Sequence, residues 1–153
     1  MKRARTVAVL AGSALIAVGL TACDKPNPGA SIFSGTTSQW RQAACWSSSS
    51  EPIDATKCAR DVVNNAVAGV TVPTIPVVPG QVIGISVDPV VADAGWVARV
   101  NQQNVTPTAI TSTYFRFTFP DLTAVPADGM VMEIVAGKDG ATKGLWLFKI
   151  VPA

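Results

Sequence analysis

Histidine is absent from all 153 residues, which removes the usual general base, the commonest metal ligand and every histidine-dependent triad. What remains able to do chemistry is a scatter of carboxylates, three cysteines and three methionines. Asp88, Asp93, Asp121, Asp128, Glu133 and Asp139 fall mostly in turn signals. A carboxylate there more often hydrogen-bonds its own backbone, so hydrolysis by a carboxylate pair is the minor reading. Met130 and Met132 share a strand face, but two methionines without histidine or free thiol suit a core better than copper. The loop around Asp139 lacks the run of alternating oxygen ligands that calcium takes. No metal and no catalytic residue are assigned.

The thiols are more informative. Lys2, Arg3 and Arg5 precede an apolar run from Thr6 to Gly19 and then Leu20-Thr21-Ala22-Cys23. A basic end, an apolar stretch too short to span comfortably and a small-residue exit make a secretory signal. The last four residues resemble the bacterial lipobox, in which the cysteine thiol receives a diacylglyceryl group and the chain is cut just before it. Residues 1–22 are therefore expected to be removed and Cys23 to carry a covalent lipid, with no other cofactor. Loss of 22 of the 153 residues leaves 131, enough for one domain with a sizeable core. Lys2, Arg3 and Arg5 leave with the signal, so nine of the twelve basic side chains remain against ten acidic ones. Without a Lys/Arg-rich run there is no electrostatic case for nucleic acid. Cys45 and Cys58 remain in an exported chain, where a disulfide is expected and a free, reactive pair is the alternative.

The elements that would position these groups follow in order. Residues 23–30 read as a lipidated tether, since two prolines and a glycine interrupt any periodicity. Residues 31–69 read as a disulfide-stapled segment packing on the main fold. Within it Gln39 to Trp46 alternates as a strand. Asp54 could cap a helix whose Ala55, Cys58, Ala59, Val62, Val63, Ala66 and Val67 form one stripe, stopped at Gly69. Two valines and two asparagines weaken that helix, and an irregular segment is the alternative. Trp40 and Trp46 either pack around the disulfide or form an exposed aromatic pair for a sugar or a partner.

Residues 70–153 carry the strands. Pro73, Pro76 and Pro79 suit an edge strand. Val82 to Val87 and Trp96 to Val100 alternate with period two and are expected to form a central pair with the indole beside the isoleucines. Asn101 to Ile110 reads as a loose connection. Phe115, Phe117 and Phe119 share one face of the next strand, and Met132 and Ile134 one face of another. Asp139-Gly140 turns the chain into a last strand with Trp146, Phe148 and Ile150 inward. Short strands with regular turn signals and a buried tryptophan on the third point to an all-β, immunoglobulin-like β-sandwich, with a partly closed barrel as runner-up. Leu122 to Val125 followed by Asp128-Gly129 looks like the crossover between the fifth and sixth strands of such domains.

In its lipobox, Cys45-Trp46, Cys58, VPGQVIGISV and VVADAGWVARV, the chain resembles small uncharacterised actinobacterial surface lipoproteins with an immunoglobulin-like domain. The resemblance covers roughly residues 20 to 101, and it implies location and fold but no activity and no functional residues. The expected role is a non-catalytic binding or interaction module, lipid-anchored on the extracytoplasmic face of the cell membrane. Its partners would be the bilayer, through Cys23, and an envelope protein. Carriage of a small ligand or glycan is the alternative, and an envelope enzyme the minor one.

The alternation leaves one face unexplained. Inward Trp146, Phe148 and Ile150 turn Leu145 and Leu147 outward, and Val131 and Val135 join them on the neighbouring strand. Either the stapled segment covers this face, or Val131, Val135, Leu145 and Leu147, with Trp40 and Trp46, form a partner surface.

Overall fold

The computed structural model describes residues 25–67, 72–121 and 125–153. The expected leader, Cys23, the helix stop expected at Gly69 and residues 122–124 of the expected crossover lie outside them. So do the side chains of Val63, Ala66 and Val67 from the expected stripe.

Among the described residues ten strands form two sheets. Strands β1 (Gly29–Ser34), β2 (Thr37–Gln42), β5 (Val82–Val87) and β8 (Tyr114–Thr118) make a four-stranded antiparallel sheet in the order β2-β1-β5-β8. The second sheet runs β3 (Cys45–Trp46), β10 (Ala141–Pro152), β9 (Met130–Lys138), β6 (Trp96–Val100), β7 (Gln103–Asn104), with β4 (Thr74–Val77) parallel to the end of β10. Among the described residues there are two helices, α1 (Ala55–Val67) and α2 (Pro89–Ala94).

A single cluster joins the inner faces. Ile32, Ile83 and Ile85 from the first sheet and Trp96, Ile134, Trp146 and Phe148 from the second are fully buried in it. Period-two alternation drives this, because each strand has one apolar face and only burial against the other sheet removes it from water. Both inner indoles also satisfy their N–H: Trp96 Nε1 donates to Ser112 O at 2.9 Å and Trp146 Nε1 to Pro28 O at 3.0 Å. Phe115 and Trp96 meet in a T-shaped pair with ring centroids 6.5 Å apart.

The structure corrects the expected central pair. β5 and β6 lie in different sheets, so Trp96 meets Ile83 and Ile85 across the core and not along a shared ladder. The reason is α2, which the alternation could not announce. Pro89 sits at its start, where a fixed φ and a missing N–H cost nothing, and Val91 and Ala92 bury in the core as the chain crosses over. The strand expected from Gln39 to Trp46 is likewise two. Ala43 N donates to Pro28 O at 2.8 Å and Ala44 N to Leu145 O at 2.8 Å, so the chain leaves one sheet and joins the other between adjacent residues.

The boundary drawn at 69/70 does not divide the sheets, since β1 and β2 belong to the same sheet as β5 and β8. Residues 29–30, expected to belong to a tether, are strand: Gly29 and Ala30 open β1, and Pro28 is buried with them. Residues 101–104, expected to start a loose connection, make a tight hairpin in which Asn101 and Gln102 take φ of 48° and 65°. At the β9–β10 hairpin Asp139 and Gly140, at φ 55° and 81°, turn the chain as the Asp-Gly pair foretold.

The cysteines are joined, with Cys45 and Cys58 bridged across a Cα–Cα distance of 6.1 Å. Helix α1 begins where Asp54 caps it, Oδ1 accepting from Lys57 N at 2.9 Å. Its Cys58, Ala59 and Val62 lie over Val135, Leu145 and Leu147 on the outer face of the second sheet, forming a second apolar cluster.

Candidate functional site

That second cluster decides most of the candidate surface. Val135, Leu145 and Leu147, expected either under the stapled segment or on a partner surface, are 8%, 2% and 5% exposed beneath α1. The covering expected of the stapled segment is what the structure shows, so these three belong to the core and not to a partner surface. Val131 escapes the helix and stays 48% exposed.

Beside it α1 and the strands leave a groove of about 820 Å³. Val62, Val72, Val131 and Leu147 give it an aliphatic lining, and Asn101, Gln102, Asp128, Glu133 and Lys149 supply polar groups around it. Each wall has a local cause. The tight β6–β7 turn carries Asn101 and Gln102 outward, while the register of β9 against β10 sets Val131 beside Lys149 and Glu133 beside Leu147. Aliphatic walls with a few hydrogen-bonding and charged groups suit a side chain and backbone better than a sugar ring, which stacks on aromatic faces.

The two tryptophans lie elsewhere. A cleft of about 900 Å³ is lined by Trp40, Trp46, Val90 and Lys143, with residues 25–29 forming one side. Trp40 is 60% exposed, and its indole lies over Gly29, where any Cβ would collide with Nε1. Trp46 is half-buried over Gly144 and against Trp146, with ring centroids 5.9 Å apart. Lys143 occupies a bulge between Thr142 and Gly144, and its Nζ stands 5.8 Å from the Trp46 ring. So Trp46 packs on the inter-sheet core and not in the cluster that holds Cys45 and Cys58, and the structure brings it with Trp40 to one cleft.

The carboxylates are dispersed. Asp88 Oδ2 accepts from Gly29 N at 2.6 Å and Asp121 lies against Gly80, while Asp139 holds a turn. Asp128 and Glu133 alone among them line the groove together. Among the described residues no three His, Cys, Asp or Glu come together in a way that could hold a metal ion, and no helix is long and apolar enough to cross a membrane.

One half-buried cation was invisible in the sequence. Arg41 projects from the edge strand β2 to the second sheet, where Nη1 donates to Leu147 O at 3.2 Å. β3 pairs β10 at Gly144 and Leu145 and β4 pairs it from Lys149 onward. Arg41 therefore satisfies a carbonyl in the gap between two short edge strands. Burial lowers its guanidinium pKa from the ordinary value, because a charged group loses solvation there. No family model, no curated protein and no solved structure matches this chain.

Proposed function

We propose that this chain is a lipid-anchored, extracytoplasmic binding module that engages an envelope protein without catalysis. The single observation that carries the reading is the groove beside α1, where an exposed Val131 and an aliphatic lining meet Asn101, Gln102, Asp128, Glu133 and Lys149. The occupant this chemistry favours is an extended peptide segment with an aliphatic anchor and a backbone to hydrogen-bond.

The immunoglobulin-like assignment is supported by strand order. β5 lies between β1 and β8, β6 and β9 are neighbours in the opposite sheet, and β4 runs parallel to β10, much as the split first strand of such domains runs beside their last. Trp96, on the strand that follows the crossover, sits at the centre of the core. The anchor reading is supported by Leu20-Thr21-Ala22-Cys23 after an apolar run. Carriage of a glycan has the indole cleft in its favour, since exposed Trp40 offers a stacking face.

Two measurements test the proposal. Metabolic lipid labelling should be lost in Cys23→Ala, and labelled Cys23→Ala protein would sink the anchor. A photo-crosslinking residue at Val131 should give a discrete protein adduct in intact cells that Val82, equally exposed on the other sheet, does not give. Equal adducts from both positions would show the groove to be ordinary surface.

A further inference from the structure

The cleft of Trp40 and Trp46 lies where the chain runs back toward Cys23, and this placement says what faces it. Residues 25–28 line the cleft, and from Pro28 onward the backbone is pinned. Pro28 O accepts from Ala43 N at 2.8 Å and from Trp146 Nε1 at 3.0 Å, Gly29 N donates to Asp88 Oδ2 at 2.6 Å, and Asp88 N returns a bond to Gly29 O at 3.1 Å. Between this anchor point and Cys23 only five Cα–Cα steps remain, a reach of at most about 18 Å. A lipid on Cys23 thus holds this end of the molecule within one headgroup layer or so of the bilayer.

We infer that this end rests in the bilayer interface, with the Trp40 indole in the headgroup region and Val90 beside it; the inference rests on the lipid-anchor reading. Trp40 and Val90 are 60% and 39% exposed. A tryptophan is the side chain best suited to that depth, having an apolar body and one N–H donor for the wet side. Lys25 and Lys143 on the same face can reach lipid phosphates, but Asp88 and Asp93 stand beside them. The face is close to neutral, so insertion of the indole and not charge holds it down. The peptide groove then points away from the membrane. β9 runs from Met130 at the groove to the turn before Lys143, and nine strand residues cover about 27 Å.

The test uses full chain made in cells, its lipid content read by metabolic labelling, purified and reconstituted into phosphatidylcholine vesicles carrying brominated acyl chains. Trp96 and Trp146 are fully buried, so changes in emission report Trp40 and Trp46. The labelled protein should show bromine quenching, loss of quenching by aqueous iodide and a blue-shifted emission, all insensitive to added salt. Trp40→Phe should remove most of the shift, and if that variant does not fold, the paired quenchers on the parent still decide. Labelled protein whose indoles stay open to iodide and untouched by bromine overturns the docking while leaving the anchor intact, and frees the cleft for a glycan. Unlabelled protein overturns the anchor, and the docking with it.

Discussion

Leu147→Asp tests the architecture around the groove most directly. Leu147 is 5% exposed, its side chain under Ala59 and Val62 of α1. Removing it forfeits about 1.5–3 kcal/mol of apolar burial. The new carboxylate would then sit in a poorly hydrated site, and its cross-strand neighbour is Glu133, while Lys149 two residues on offers partial compensation. Leaving such a group without a full set of partners adds about 1–3 kcal/mol. The expected loss is therefore about 2.5–6 kcal/mol, a large part of the stability of a domain this size. Urea unfolding followed by far-UV circular dichroism, with the disulfide intact, reads it as a shift in midpoint at constant slope.

The pH dependence supplies a second readout. Burial and Glu133 should both raise the folded-state pKa of the introduced carboxyl above its unfolded value of about 3.9. The folded variant then binds more protons than the unfolded one between those two values, so its stability relative to the parent falls as pH rises through that window. Leu147→Asn should be destabilised without that pH slope. A Leu147→Asp protein as stable as the parent would refute the reasoning, because it would mean that α1 does not cover this face.

Three further expectations follow from single contacts. Trp96→Ala should cost about 3–5 kcal/mol in a urea titration, since the indole is fully buried between the sheets; an unmoved midpoint would place it on the surface. Replacing both Cys45 and Cys58 by serine should cost about 3 kcal/mol, from the entropy of a loop with a sequence separation of 13, and hydrogen exchange should show α1 loosened before either sheet. Arg41→Ala should lose about 1–3 kcal/mol by orphaning Leu147 O, and Arg41→Lys should recover only part of it, because a lysine lacks the planar fork that reaches across.

What the sequence by itself determined was whatever depends on local pattern. Period-two alternation placed Ile83, Ile85, Trp96, Ile134, Trp146 and Phe148 inside, since a strand's faces are set by its own backbone. Asp139-Gly140 announced its hairpin and Asp54 its helix, because turn and cap chemistry are satisfied within a few residues. The Cys45–Cys58 bridge is the pairing the sequence led us to expect of two thiols on the reading that the chain is exported.

Only tertiary structure decided which strands were neighbours. β5 and β6, adjacent in sequence, went to opposite sheets because a six-residue helix carried the chain over, and the same alternation would have served a hairpin. β1 was hidden by the prolines ahead of it, and it is a strand because β2 and β5 satisfy its backbone on both sides. The outward leucines could have been a partner surface or a floor for α1. Their alternation is the same in either case, and only the disulfide and helix packing made them core while leaving Val131 in the open. Arg41 and the glycine niches for Trp40 and Trp46 join residues distant in sequence. No local pattern encodes such contacts, because each exists only once the sheets have closed on one another.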